Sequence, residues 1–349
     1  MKAKKGYGWR PALSTAVRLY WRTLFEGANF RSSMSAPIVV LEHLGKNYDD
    51  VAAVADVSLS IDRGEIFGFL GANGAGKTTT IKMLCGLTRQ SSGTAMIDGH
   101  DTWSDRYSVR KQFGYVAQKF SLYPDLSVAE NLRFFGTACG VSSETLRSRL
   151  PELLRLTDLD SKRDALAGSL SGGMKQLLAL ACALVHDPAL FFLDEPTSGL
   201  DPVHRQQMWD LLYDLSHRGK TVFVTTHYMD EADRCTEVGF MHGGRLLAKD
   251  SPRALQERFK GQLLEVQVEP LMPGLVGLRA VAGVLGVALR RERLRIYAAA
   301  PDALLARWQA AWPLPDVRFL GHTWVAPDME DVFKAYSQGY HEILDGPTR

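Results

Sequence analysis

The chain has 349 residues, 46% hydrophobic and 23% charged, a balance that supports a buried core and excludes a chain disordered throughout. A formal net charge of +2 makes no case for a nucleic-acid partner, which a strongly basic face would signal. Cys85, Cys139, Cys182 and Cys235 lie far apart with no C-x-x-C pair, which argues against a zinc site or a disulfide framework and fits a reducing cytoplasm.

At roughly 150 residues per domain, the length predicts about two domains. Before them comes a basic extension over residues 1–36. Within it Leu13, Val17, Tyr20, Trp21, Leu24 and Phe25 recur at helical spacing, with Arg18 and Arg22 on the other face. This reads either as an amphipathic helix that docks on a membrane surface or partner, or as an extension ahead of a true start at Met34. Arg18, Arg22 and Glu26 interrupt the apolar run a secretory signal needs. Nowhere does the chain reach the roughly 18–20 apolar residues that cross a bilayer, so a membrane role is expected to run through a separate spanning partner.

Strands are expected at residues 38–41, 57–61 and 65–70, the last running straight into a glycine-rich turn and a helix from Lys77 to about Leu87. A short strand at 113–117 precedes helical periodicity at 128–139 and 143–157, which reads as a helical insertion. Strands resume at 190–193 and 221–225, separated by a helix over 203–218 of the length a parallel crossover requires. The expected core, residues 37–260, is therefore doubly wound α/β. Past Gly261, strands near 263–268, 284–289, 294–298 and 317–325 with helices at 302–312 and 329–337 predict a small C-terminal α+β domain over 261–349.

Gly71-Ala72-Asn73-Gly74-Ala75-Gly76-Lys77-Thr78, followed by Thr79, fits G-x-x-x-x-G-K-[ST] between a strand and a helix, the setting of a P-loop. Its glycines let backbone N–H groups turn onto phosphates, and the helix N-terminus adds its dipole. Lys77 places a point charge on the outer phosphates, and the Thr78 hydroxyl is a ligand for Mg²⁺. The strand Leu190 to Leu193 ends in Asp194 and Glu195, a Walker B arrangement with Asp194 for the metal shell and Glu195 as general base toward water. Alone, such a pair is equally a solvated strand end.

Ser171-Gly172-Gly173 opens a helix and makes a second anion nest, or an ordinary helix cap. One ATP uses two nests only if one copy's nest closes over phosphates held by another copy. The pattern thus predicts a head-to-tail pair, and with every such position intact a homodimer is favoured.

The order of P-loop, Ser171 to Gly173, Leu190 to Glu195 and His227 resembles ABC transporter ATPase subunits over roughly residues 39–250. The resemblance implies a P-loop NTPase fold, ATP and Mg²⁺ as cofactors, and ATPase activity. It implies further roles: Tyr48 stacking on adenine, Gln118 sensing the metal, Ser198 to Asp201 as the D-loop, and His227 on the γ-phosphate. Tyr48 is otherwise a core aromatic, Gln118 a loop amide and His227 a satisfied strand-end histidine. Met174 and Leu177 depart from the Gln and Arg common in the family, which leaves those side chains' contacts open. Residues 115–132 lie where the family docks coupling helices of a membrane subunit, or simply seal the helical insertion.

His227-Tyr228-Met229-Asp230-Glu231-Ala232 and Met329-Glu330-Asp331-Val332-Phe333 resemble the branch serving ABC-2-type exporters of drugs, antibiotics, polysaccharides or ions. The expectation is a peripheral subunit on the cytoplasmic face of the inner membrane, bound through ABC-2-type permease subunits, with no nucleic-acid partner. An importer ATPase is the nearer alternative and a soluble ABC ATPase acting on ribosomes or DNA the further one. The single P-loop and the lack of a long coiled coil speak against the latter.

Overall fold

The computed structural model describes residues 36–119 and 121–345. The amphipathic reading of residues 11–30 lies outside the described residues. The strands are β1 (Val39–Tyr48), β2 (Val51–Ile61), β3 (Ile66–Leu70), β4 (Ser92–Ile97), β5 (His100–Asp101), β6 (Phe113–Val116), β7 (Leu190–Asp194), β8 (Thr221–Thr226), β9 (Glu237–His242) and β10 (Arg245–Asp250). They form one ten-stranded sheet in the order β5-β4-β1-β2-β10-β9-β3-β8-β7-β6.

The run β9-β3-β8-β7-β6 is parallel throughout. Every residue of β3, β7 and β8 is buried, which explains the apolar runs of β3 and of β7 up to Asp194 and the β-branched run of β8: a parallel strand covered on both faces needs no polar alternation. Phe67, Phe69, Phe192 and Phe223 fill one face with ring centroids 5.3 to 6.2 Å apart. The other half, β5-β4-β1-β2, is antiparallel.

Helix α1 (Lys77–Leu84) follows the glycine-rich loop, and a short α2 (Arg106–Val109) precedes β6. Between β6 and β7 lie α3 (Val128–Ala138), α4 (Ser143–Leu156) and α5 (Gly172–Leu184), the helical insertion the periodicity predicts. Local chemistry starts each one. Ser127 and Glu130 close a reciprocal capping box on α3, Ser142 accepts from Thr145 N, and Ser171 accepts from Met174 N. Helix α6 (Pro202–His217) is the expected crossover from β7 to β8, with Asp201 as its cap and Pro202 in its first turn.

After a short α7 (Pro252–Glu257), the chain adds β11 (Leu263–Glu269), α8 (Leu271–Leu278), β12 (Gly286–Arg290), β13 (Arg293–Tyr297), α9 (Pro301–Ala310), β14 (Arg318–Val325) and α10 (Met329–Gln338). The four strands form an antiparallel sheet in the order β12-β13-β11-β14, matching the expected α+β content. Leu264, Val266, Leu294, Ile296 and Trp308 give that sheet a core of its own.

Helix α10 belongs to both sheets. Its Met329, Val332, Ala335 and Tyr336 join the apolar cluster that holds Phe240 of β9, and the Phe333 and Tyr336 rings sit 5.3 and 6.0 Å from Phe240. On the other side Asp331 is fully buried, accepts from Tyr297 Oη at 2.6 Å and pairs with Arg295. Arg295 also reaches Glu265 and Asp328, at 2.7 and 2.9 Å. Contacts of this kind make the described residues from Pro37 onward one compact unit.

Candidate functional site

The site forms where β3, β7 and β8 end side by side. Leu70 leads into the loop 71–76, whose Gly71 N donates to Thr226 O of β8 at 3.3 Å. Gly76 takes a left-handed φ of 106°, and a Cβ there would come within 2.5 Å of Ala53 O. Only glycine satisfies both conditions. Asn73 and Gly74 are exposed on the loop's outer side. Helix α1 begins with no side-chain cap and no acid in its first turn, so its positive end is not neutralised by a carboxylate of its own.

Lys77 is 5% exposed, and its Nζ donates to Gly71 O at 2.7 Å and Ala72 O at 3.2 Å. Burial pushes its ammonium below the usual lysine range, and Glu195, 3.6 Å away, pulls it back up. Thr78 Oγ1 donates to Asp194 Oδ1 at 3.2 Å, and Thr79 follows in the same helical turn. Asp194, 1% exposed, therefore stands directly over the start of α1.

Glu195 is the centre of the arrangement. It is 7% exposed and holds a left-handed φ of 50°, unusual for a residue with a Cβ and the kind of backbone strain that clusters at functional sites. The turn carries its carboxylate to the open end of the sheet. Gln118 Nε2 donates to Glu195 Oε2 at 3.1 Å, and His227 Nδ1 lies 3.1 Å from the same oxygen without the alignment of a hydrogen bond. The expected Lys77, Thr78, Asp194, Glu195, Gln118 and His227 are thus brought together from four separate stretches of chain.

Two groups beside the β7 carboxylates have surroundings that the sequence reading did not give them. Thr225 Oγ1, on the neighbouring strand, donates to Asp194 Oδ1 at 2.6 Å and accepts from Glu195 N at 3.0 Å. Sequence offers little to single it out, since buried β8 carries Thr221, Thr225 and Thr226, and only the register that pairs Thr225 with Asp194 sets it apart. Tyr115, read from the sequence only as part of the 115–132 segment, is the other: it is half-buried, and burial and then the Asp194 charge push its phenol above the usual range, so it stays neutral.

Ser171, Gly172, Gly173 and Asp201 are not hydrogen-bonded to the Glu195 group among the described residues. Ser171 caps α5, and Asp201 Oδ1 accepts from Val203 N and His204 N at 3.0 and 3.1 Å. Tyr48 ends β1 with 45% of its surface exposed and Lys46 Nζ 4.9 Å above its ring. Its strand partner Val51 lies two residues from Ala53, whose carbonyl abuts Gly76, so this end of β1 and β2 lies near the phosphate loop. Among the described residues no helix is long and apolar enough to cross a membrane.

Residues 54–198 match the family model described as ABC transporter. The chain is 38% identical over 304 residues to the Nod factor export ATP-binding protein I of Ralstonia nicotianae, a match that covers 86% of this chain and 93% of that one. It is 42% identical over 219 residues, 63% of its length, to the probable multidrug ABC transporter ATP-binding protein YbhF of Escherichia coli strain K12, and spans 38% of that longer relative. Among solved structures, the dimeric post-hydrolysis state of the ATP-binding cassette MJ0796 with ADP and Pi is 28% identical. It superimposes with a TM-score of 0.57 over 61% of this chain and 98% of that one. The spacing of the phosphate loop, the β7 carboxylates and the β8 end is accounted for by these likenesses together: the chain belongs to the family of ABC transporter ATP-binding subunits.

Proposed function

We propose that this chain hydrolyses ATP to drive export through separate ABC-2-type membrane subunits, working as a head-to-tail pair on the cytoplasmic face of the cell membrane. The observation that carries the reading is the convergence of Lys77, Gln118 and His227 on the buried Glu195 carboxylate. Export rather than import is favoured by the names of the relatives, a Nod factor exporter and a multidrug transporter. The dimeric cassette supports the pairing.

The donors fit Mg²⁺ and a nucleotide. Thr78 Oγ1 and Asp194 Oδ1 are hard oxygens of the kind Mg²⁺ prefers, and few protein ligands suffice because that ion keeps several waters. Gln118 would complete the ring of oxygens, and the bound ion would neutralise charge on the phosphates. The loop Gly71, Asn73, Gly74 and Gly76 with Thr79 would cradle the phosphates, while Tyr48 would stack on the base. Ser171, Gly172, Gly173 and Asp201 of a second copy would close the site.

Glu195 acts as base in this reading, taking a proton from a water that faces its carboxylate, with His227 alongside. Burial among Lys77, Gln118 and His227 fixes its position, and geometry counts here as much as proton affinity. We assign residues 37–260 to the ATPase domain and 261–349 to an accessory α+β domain, supported by the separate sheets. Glu195→Gln should retain ATP, accumulate an ATP-bound dimer and lose turnover by on the order of a hundredfold or more. Near-normal ATP hydrolysis by that variant would sink the assignment.

A further inference from the structure

We infer that His204 is a positioning residue that locks the Ser171 to Gly173 segment and the Ser198 to Asp201 segment into one rigid face, the face a second copy must meet. The inference rests on the paired reading above. Its physical basis is a contrast between neighbouring glycines. A Cβ on Gly172 would meet nothing within 4 Å, so nothing inside this chain forbids a side chain there. A Cβ on Gly173 would run into the His204 imidazole at Cγ and Cδ2. Gly172 therefore fits a surface something else closes on, whereas Gly173 exists to seat His204.

The ring is held from the other side as well. Its Nδ1 lies 2.5 Å from Asp201 Oδ2, while Asp201 Oδ1 is engaged by the first N–H groups of α6. Those hydrogen bonds, that from His204 N first and that from the His204 ring second, keep the Asp201 carboxyl below its usual range. An ionised Asp201 requires the proton on Nδ1. The ring is thereby held between Asp201 at Nδ1 and Gly173 at Cγ and Cδ2. Ser171, Gly172, Ser198 and Gly199, which flank this joint in the two segments, are all exposed.

Hydrogen exchange of the full chain, followed on peptides covering residues 171–176 and 201–206, tests this directly. His204→Ala keeps the backbone cap on α6 but removes the joint, so both peptides should exchange faster. His204→Asn, whose amide nitrogen can take the place of Nδ1, should restore protection. In the Glu195→Gln background, His204→Ala should weaken ATP-driven dimerisation by about tenfold or more, in line with the cost of small misplacements, with ATP affinity of the single chain unchanged. Wild-type exchange of both peptides in His204→Ala, or no rescue by His204→Asn, would overturn the inference. Faster exchange in a protein that never pairs with ATP would leave the joint standing and remove the dimer reading instead.

Discussion

Thr225 Oγ1 lies 2.6 Å from Asp194 Oδ1 and also accepts from the backbone N of Glu195, so one hydroxyl on β8 sets two adjacent carboxylates on β7. Thr225→Val keeps the shape and removes both bonds. The group left behind is a buried charge short of a donor, at a cost of about 1–3 kcal/mol. Turnover should fall roughly tenfold and the Mg²⁺ concentration for half-maximal activity should rise. A variant with unchanged Mg²⁺ dependence would show that Asp194 needs no such support.

Lys77→Ala should weaken ATP binding by about ten- to a hundredfold, because a charge-assisted contact to phosphate is worth about 1.5–3 kcal/mol. The lysine also ties the loop to itself through Gly71 O and Ala72 O, so the variant should show faster exchange of the loop amides. Equilibrium binding of a fluorescent ATP analogue measures the first effect. Unchanged affinity would contradict the role.

These two residues mark what the sequence disclosed and what it hid. Lys77 was legible because a phosphate site needs its glycines and cation in one contiguous string. Thr225 was not, because its role exists only once β7 and β8 lie in register. The same holds for the fold. Strands β3 and β7 announce themselves as apolar runs and β8 as a β-branched one, but β4 starts with the exposed Ser92 and Gly93, and β10 is half-exposed along most of its length. Helix α8 carries Pro273, Gly274 and Gly277, which locally oppose a helix, and exists because Leu275 and Leu278 are buried against the second sheet.

Asp331→Ala should destabilise the protein by about 3 kcal/mol, the low end for breaking a buried ion pair, since Arg295 keeps Glu265 and Asp328. Tyr297 Oη would lose its acceptor and α10 half of its capping box. Denaturant unfolding of the full chain reads the loss. A change within about 0.5 kcal/mol would mean that the cluster is solvated and worth little.

His186 gives the molecule a defined acid sensitivity. Burial lowers its proton affinity below the usual histidine value, and Nε2 lies 3.1 Å from Phe113 O. Between the folded and unfolded values the unfolded chain binds more protons, so stability rises with pH through that window and is lost as pH falls through it. His186→Gln, which cannot charge, should therefore lose less stability than wild type between about pH 7 and pH 5.5, the region bracketing an ordinary histidine. Parallel curves for the two proteins would dismiss His186 as a contributor.

The seat of α10 against Phe240 bears on how the protein is made. Phe240 is laid down well before Phe333 and Tyr336, the rings that cover it, so β9 emerges from the ribosome with its apolar face uncovered. The catalytic half cannot finish its interior until the last helix arrives. A nascent chain stalled in the second sheet would be a sticky, half-closed molecule that chaperones and proteases can tell from a finished one.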